Sequence, residues 1–137
     1  MQTDFADAHE RHWHDAELLW GEKRWANADH LYGFSAECGL KALMVAFGMP
    51  CDDIGSPKRN KDWRHIDTLS TRYESYRSGG EFADYCCDDV DAFANWHTSD
   101  RYANQTEFDA GYVEVHRRAA DAIRDLVHEA RRRGVIE

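Results

Sequence analysis

Three groups of residues in this sequence could do chemistry. Arg101 and Tyr102 sit side by side in a polar stretch, a cation beside an aromatic ring. Such a pair can hold the phosphate of a nucleotide and stack on its base. Glu37 and Lys41 stand four residues apart in an otherwise apolar run. Their order favours an ion pair on a helix, which either lines a cleft near Arg101 or stays structural at the rim of a bundle. Arg59, Asn60 and His65 fall where a loop gives way to a helix. Cleaving RNA requires a base for the ribose 2′-hydroxyl proton and a cation for the phosphorane, and these side chains could supply both.

Other reactive residues read as structural. His9, His12 and His14 cannot all share one helix face, and no acidic partner completes a tetrahedral set, so no metal is expected. The four cysteines, Cys38, Cys51, Cys86 and Cys87, form no C-x-x-C pair, which argues against zinc and against a disulfide framework. No cofactor is expected. The formal charge of −9 argues against a broad DNA-binding surface, though not against a local basic cleft. The first residues lack a basic start and apolar run, and no apolar stretch reaches transmembrane length, so a cytoplasmic protein without membrane contact is expected.

These residues must be positioned by helices. The only prolines are Pro50 and Pro57, leaving long stretches free for helix. Residues from about Thr3 to Trp20 place Phe5, Ala8, His12, Ala16 and Leu19 at helical spacing, with Thr3 or Asp4 as N-cap. A central helix from about Trp25 to Phe47 carries small residues along one side, Ala28, Ser35, Gly39, Ala42 and Ala46. Gly33 and Gly39 each cost roughly 1 kcal/mol of helix propensity, and close packing is the expected compensation. Met49 to Lys61 reads as a loop, and Trp63 to Tyr76 as a short helix. Glu81 to His97 reads as a further helix, with Phe82, Tyr85, Cys86, Val90, Phe93 and Trp96 on its period. The last helix runs from about Thr106 to Arg132 through Phe108, Tyr112, Val115, Ala119, Ala122, Leu126 and Ala130. Together these predict a single all-α domain over residues 1–137, an up-and-down four-helix bundle with one additional short helix.

The order of these elements resembles the HEPN family of small helical bundles. The run Ser35-Ala36-Glu37-Cys38-Gly39-Leu40-Lys41-Ala42-Leu43 is similar to the Glu-x-x-Leu-Lys-Ala-Leu core helix of that family. His65-Ile66-Asp67-Thr68-Leu69 resembles its His-x-x-x-Leu short-helix start, and Arg101-Tyr102 an Arg-Tyr after its third main helix. The resemblance implies a homodimer, often paired with a nucleotidyltransferase-fold partner in toxin–antitoxin-like modules. Other relatives are metal-independent RNA endonucleases with an Arg, four to six residues, then a His. Arg59 to His65 has that spacing, as does Arg24 to His30. In relatives that cut RNA the motif lies near the start of the last main helix, where this chain, from Arg101 to Phe108, has no His. The leading expectation is therefore a nucleotide- or RNA-associated accessory domain, with Arg101, Tyr102, Glu37 and Lys41 toward the ligand. The alternatives are a ribonuclease using Arg59, Asn60 and His65, and a purely structural homodimerisation module.

Overall fold

The computed structural model describes residues 1–137 and is all-helical. Helix α1 spans Phe5–Gly21, α2 Trp25–Ala46, α3 Ser70–Arg77 and α4 Ala110–Arg132. Asp4 caps α1, its carboxylate accepting from the Asp7 N–H at 3.0 Å. Asp109 caps α4 in the same way through the Tyr112 N–H at 2.8 Å. No helix is long and apolar enough to cross a membrane.

The helices are organised around α2. A tight connection folds α1 back along it, so that Trp13 meets Tyr32 and Phe5 approaches Lys41. Helix α4 runs parallel to α2 and antiparallel to α1. Asp29 pairs with His116 and Gly39 faces Ile123 along one seam, while Glu17 pairs with Arg117 and Glu10 with His128 across the other. One cluster of 25 buried apolar residues fills the interior.

The close packing expected at the glycines of α2 is present. A Cβ on Gly39 would lie 2.8 Å from His9 Nδ1 and 2.8 Å from Ile123 Cγ2. A Cβ on Gly33 would fall inside the Trp96 indole. These positions are notches, and the side chains of neighbouring elements fill them.

The segment 81–97 departs from the sequence expectation. It is not an α-helix: turns lead into a 3₁₀ helix at Asp88–Asn95, and Trp96 follows in extended backbone. Val90, Phe93 and Trp96 are spaced by three, which puts them in register on a helix of three residues per turn. Asp88, Asp89 and Asp91 are poor α-helix formers and cluster at its start. Other boundaries move as well. Trp63–Tyr76 resolves into a 3₁₀ turn at Ile66–Thr68 followed by α3, a 3₁₀ turn at Asn60–Asp62 sits at the end of the expected loop, and Thr106 lies in a 3₁₀ turn ahead of α4.

Two buried faces match their predicted positions only in part. In α1 the fully buried residues are His9, Trp13 and Ala16; of the predicted line Ala16 is among them, Phe5, Ala8, His12 and Leu19 are half-buried, and His9 is a core residue outside that line. In α4 the predicted Ala119 and Ala130 are buried, but beside Val113, His116, Ala120, Ile123 and Val127, while Val115 is 54% exposed.

Candidate nucleotide and RNA site

Helix α2 begins in an unusual way. Lys23 has φ 58°, the only non-glycine residue in the left-handed region, and it ends α1 with its N–H and that of Arg24 bonded to the Trp20 and Leu19 carbonyls. Glycine normally takes this place, because a Cβ there costs roughly 1–2 kcal/mol. The turn projects the chain straight into α2, whose N-cap, Arg24, makes no side-chain capping bond. No acidic residue lies in the first turn. The first N–H groups of a helix then remain available, and the helix dipole makes that end positive.

A groove opens at this point, lined by Lys23, Arg24, Trp25, Asn27, Arg101 and Gln105 among others. The cations around it are free. Lys23, Arg24 and Arg101 pair with no carboxylate, and the same is true of Lys58, Arg59, Lys61, Arg64 and Arg131. In a chain with 26 acidic residues this pattern is selective, since every other Lys and Arg has a partner. The acid in the groove, Asp100, is engaged by the His97 N–H at 3.0 Å. The Arg101 guanidinium lies 4.8 Å from the centre of the Tyr102 ring, and Tyr102 is 78% exposed. Together they present a cation and a ring face to solvent.

A row of aromatic rings continues from the groove along α2. His30 stacks on Trp96 at 5.4 Å and meets Phe34 edge-on at 4.9 Å. Phe34 in turn contacts Trp96, His12 and His65. Trp96 is fixed by its Nε1–H donating to the Asp29 carbonyl at 3.1 Å. Burial holds the His30 imidazole below its ordinary range, and the Arg101 charge adds to that effect. His30 Nδ1 is buried without a protein partner.

Glu37 joins Lys41 and His65. Its Oε2 accepts from Lys41 Nζ at 3.2 Å, and its Oε1 lies 2.9 Å from His65 Nδ1. Lys41 is 4% exposed and Glu37 7%, so this pair is buried; the His65 side chain is 48% exposed. The buried carboxylate orients an accessible imidazole.

Of the residues marked out from sequence, Glu37, Lys41 and His65 come together as one network. Arg101 and Tyr102 lie elsewhere, at the start of α2; the ten residues from Asn27 to Glu37 put roughly 15 Å of helix between the two places. His30 bridges them, since the charges of both Arg101 and His65 act on it. Arg59 and Asn60 do not reach His65 by any hydrogen bond; the charge of Arg59 acts instead on Asp62 and Tyr76. Burial leaves Lys41 no free face for a ligand.

Sequence reasoning missed Lys23, marked Arg24 only for its spacing to His30, and missed a buried network beneath the site. His116 Nδ1 lies 2.5 Å from Asp29 Oδ1 and His116 Nε2 lies 2.8 Å from Asn95 Oδ1, with Phe93 stacked on the ring. Burial pushes the Asp29 carboxyl up from its ordinary value, and the His116 bond opposes that. The polarity of Asp29 and His116 gave no hint that both are interior. No group of three or more His, Cys, Asp or Glu side chains converges as a metal-binding set. Comparison with protein-family models, with curated proteins and with solved structures found no match to this chain.

Proposed function

We propose that this chain is a HEPN-like accessory domain that binds a nucleotide or RNA phosphate in the groove at the start of α2. The observation that carries this reading is the convergence of Lys23, Arg24 and Arg101, all unpaired, on the uncapped N-terminus of a 22-residue helix. Tyr102 beside them offers a base-stacking surface. The all-helical chain, with α1 and α4 packed along α2, supports the family resemblance. The homodimer and the nucleotidyltransferase-fold partner of a toxin–antitoxin-like module rest on that resemblance alone.

The groove reading predicts that a bound nucleotide raises the melting temperature. The stabilisation is about 2.7 kcal/mol at a hundred times the Kd. Arg101→Ala should remove most of the shift. No shift with any of the common nucleotides at millimolar concentration would overturn it.

A second reading is a metal-independent ribonuclease, favoured by one observation: an accessible His65 held by the Glu37 carboxylate, as a general base is held by its orienting group. It predicts cleavage of RNA in EDTA by the wild type and none by His65→Ala. Intact RNA after incubation with folded wild-type protein excludes it.

A further inference from the structure

The loop ahead of α3 carries a second cluster of free charge, distinct from the groove. Lys58, Arg59, Lys61 and Arg64 are all exposed, and none pairs with a carboxylate. The one acid among them, Asp62, is fully buried, its oxygens taken by Arg72 Nε at 2.7 Å and the Tyr76 hydroxyl at 2.6 Å. Those bonds also hold its carboxyl below the usual range, against the opposing effect of burial. The acid within the cationic run is turned inward and spent on fixing the loop.

Trp63 stands among these cations with 56% of its surface exposed. Its Nε1–H donates to the Pro57 carbonyl at 2.8 Å, which satisfies its only polar atom and anchors one edge of the indole. What remains for solvent is an apolar π surface. The backbone beneath is held too: Pro57 bridges to Cys51, the Lys58 N–H donates to the Pro50 carbonyl at 3.0 Å, and Asp52 closes the preceding turn through the Ile54 and Ser56 N–H groups. A fixed loop loses little conformational freedom when it binds.

We propose that this loop is a contact site for single-stranded nucleic acid, with Trp63 stacking on a base and Lys58, Arg59, Lys61 and Arg64 meeting successive phosphates. An acidic peptide would use the charges and leave the indole idle; a nucleic-acid strand uses both. The net charge of −9 opposes binding only weakly, because charges beyond about 8–10 Å are screened at physiological salt. Affinity belongs to the non-specific range, roughly 10⁻⁴ to 10⁻⁶ M. The site stands whether or not the groove at Arg101 binds a nucleotide.

The test is fluorescence anisotropy of a labelled twelve-nucleotide oligouridine titrated with the full chain at several salt concentrations. Trp63→Ala should weaken binding about tenfold or more, and Trp63→Phe should recover part of the loss. Replacing all four loop cations by Ala should make the log–log salt slope shallower by roughly 3, the value for four phosphates on a single strand. Arg101→Ala should leave both effects in place, which separates this site from the groove. The proposal fails if the wild type does not bind. It fails equally if Trp63→Ala binds as the wild type does, or if polyglutamate competes as well as unlabelled oligouridine; either marks a general polyanion contact.

Discussion

Lys41→Met puts the buried Glu37 network to a quantitative test. The Glu37–Lys41 separation of 3.2 Å corresponds to a gross attraction of about 5 kcal/mol at an effective dielectric of 20. Most of that offsets the desolvation of two nearly buried groups, so the intact pair adds little net stability. Removing only the ammonium is different. Glu37 then keeps its desolvation cost and retains one partner, His65 at 2.9 Å. Breaking a buried pair in this way costs roughly 3–5 kcal/mol. For 137 residues the unfolding entropy is about 0.3 kcal/mol per kelvin, so the melting temperature should fall by about 10 °C or more. Met keeps the length and apolar volume of the lysine stem, so a cavity contributes little. The double variant Glu37→Gln with Lys41→Met should recover most of the loss, because no buried charge is left alone. The assay is urea unfolding followed by circular dichroism, with the slope m checked for constancy. If Lys41→Met unfolds within about 0.5 kcal/mol of wild type, the pair is effectively solvated and the reasoning is refuted.

Three further outcomes are expected. Gly33→Ala places a methyl inside the Trp96 indole and should cost about 3 kcal/mol, read as a lower urea midpoint; a cost below about 1 kcal/mol would mean that the ring moves aside freely. Lys23→Gly should relieve the left-handed strain and stabilise the chain by about 1 kcal/mol while weakening any nucleotide-induced thermal shift; a lower midpoint would contradict the strain. His9 is fully buried, and burial holds its imidazole below 6.5 in the folded state. Below pH 6.5 the unfolded chain takes up a proton that the folded chain refuses, so stability should be complete above that pH and fall as pH drops, by up to about 1.4 kcal/mol per unit. Unfolding free energies measured from pH 7.5 to 5 should show this slope, and His9→Asn should reduce it; an unchanged slope assigns it to other groups.

What could be read from the sequence follows from local physics. Periodic apolar residues and sparse proline predict α1, α2 and α4, and the Asp4 signal places one of their ends closely. Glycines in a helical pattern imply close approach, and Gly33 and Gly39 show it. Spacing of four residues within one helix was enough to join Glu37 to Lys41. Each of these depends on neighbours within a turn or two along the chain.

The rest depended on groups far apart in sequence. Val90, Phe93 and Trp96 suit a 3₁₀ helix as well as an α-helix by spacing, and the Gly33 notch fixed where Trp96 had to enter. His9 and His116 look like surface residues until Ser35 and Asp29, both on α2, meet their Nδ1 atoms in the interior. Arg59 and His65 have a suggestive spacing, yet the buried Glu37 claims the histidine and leaves the arginine on a cationic loop. The sequence by itself determined that α1, α2 and α4 would be helical and that α2 would be tightly packed, because propensity and period act locally. Only the tertiary structure decided which polar groups are interior and which cations stay free, because that depends on partners supplied by other helices.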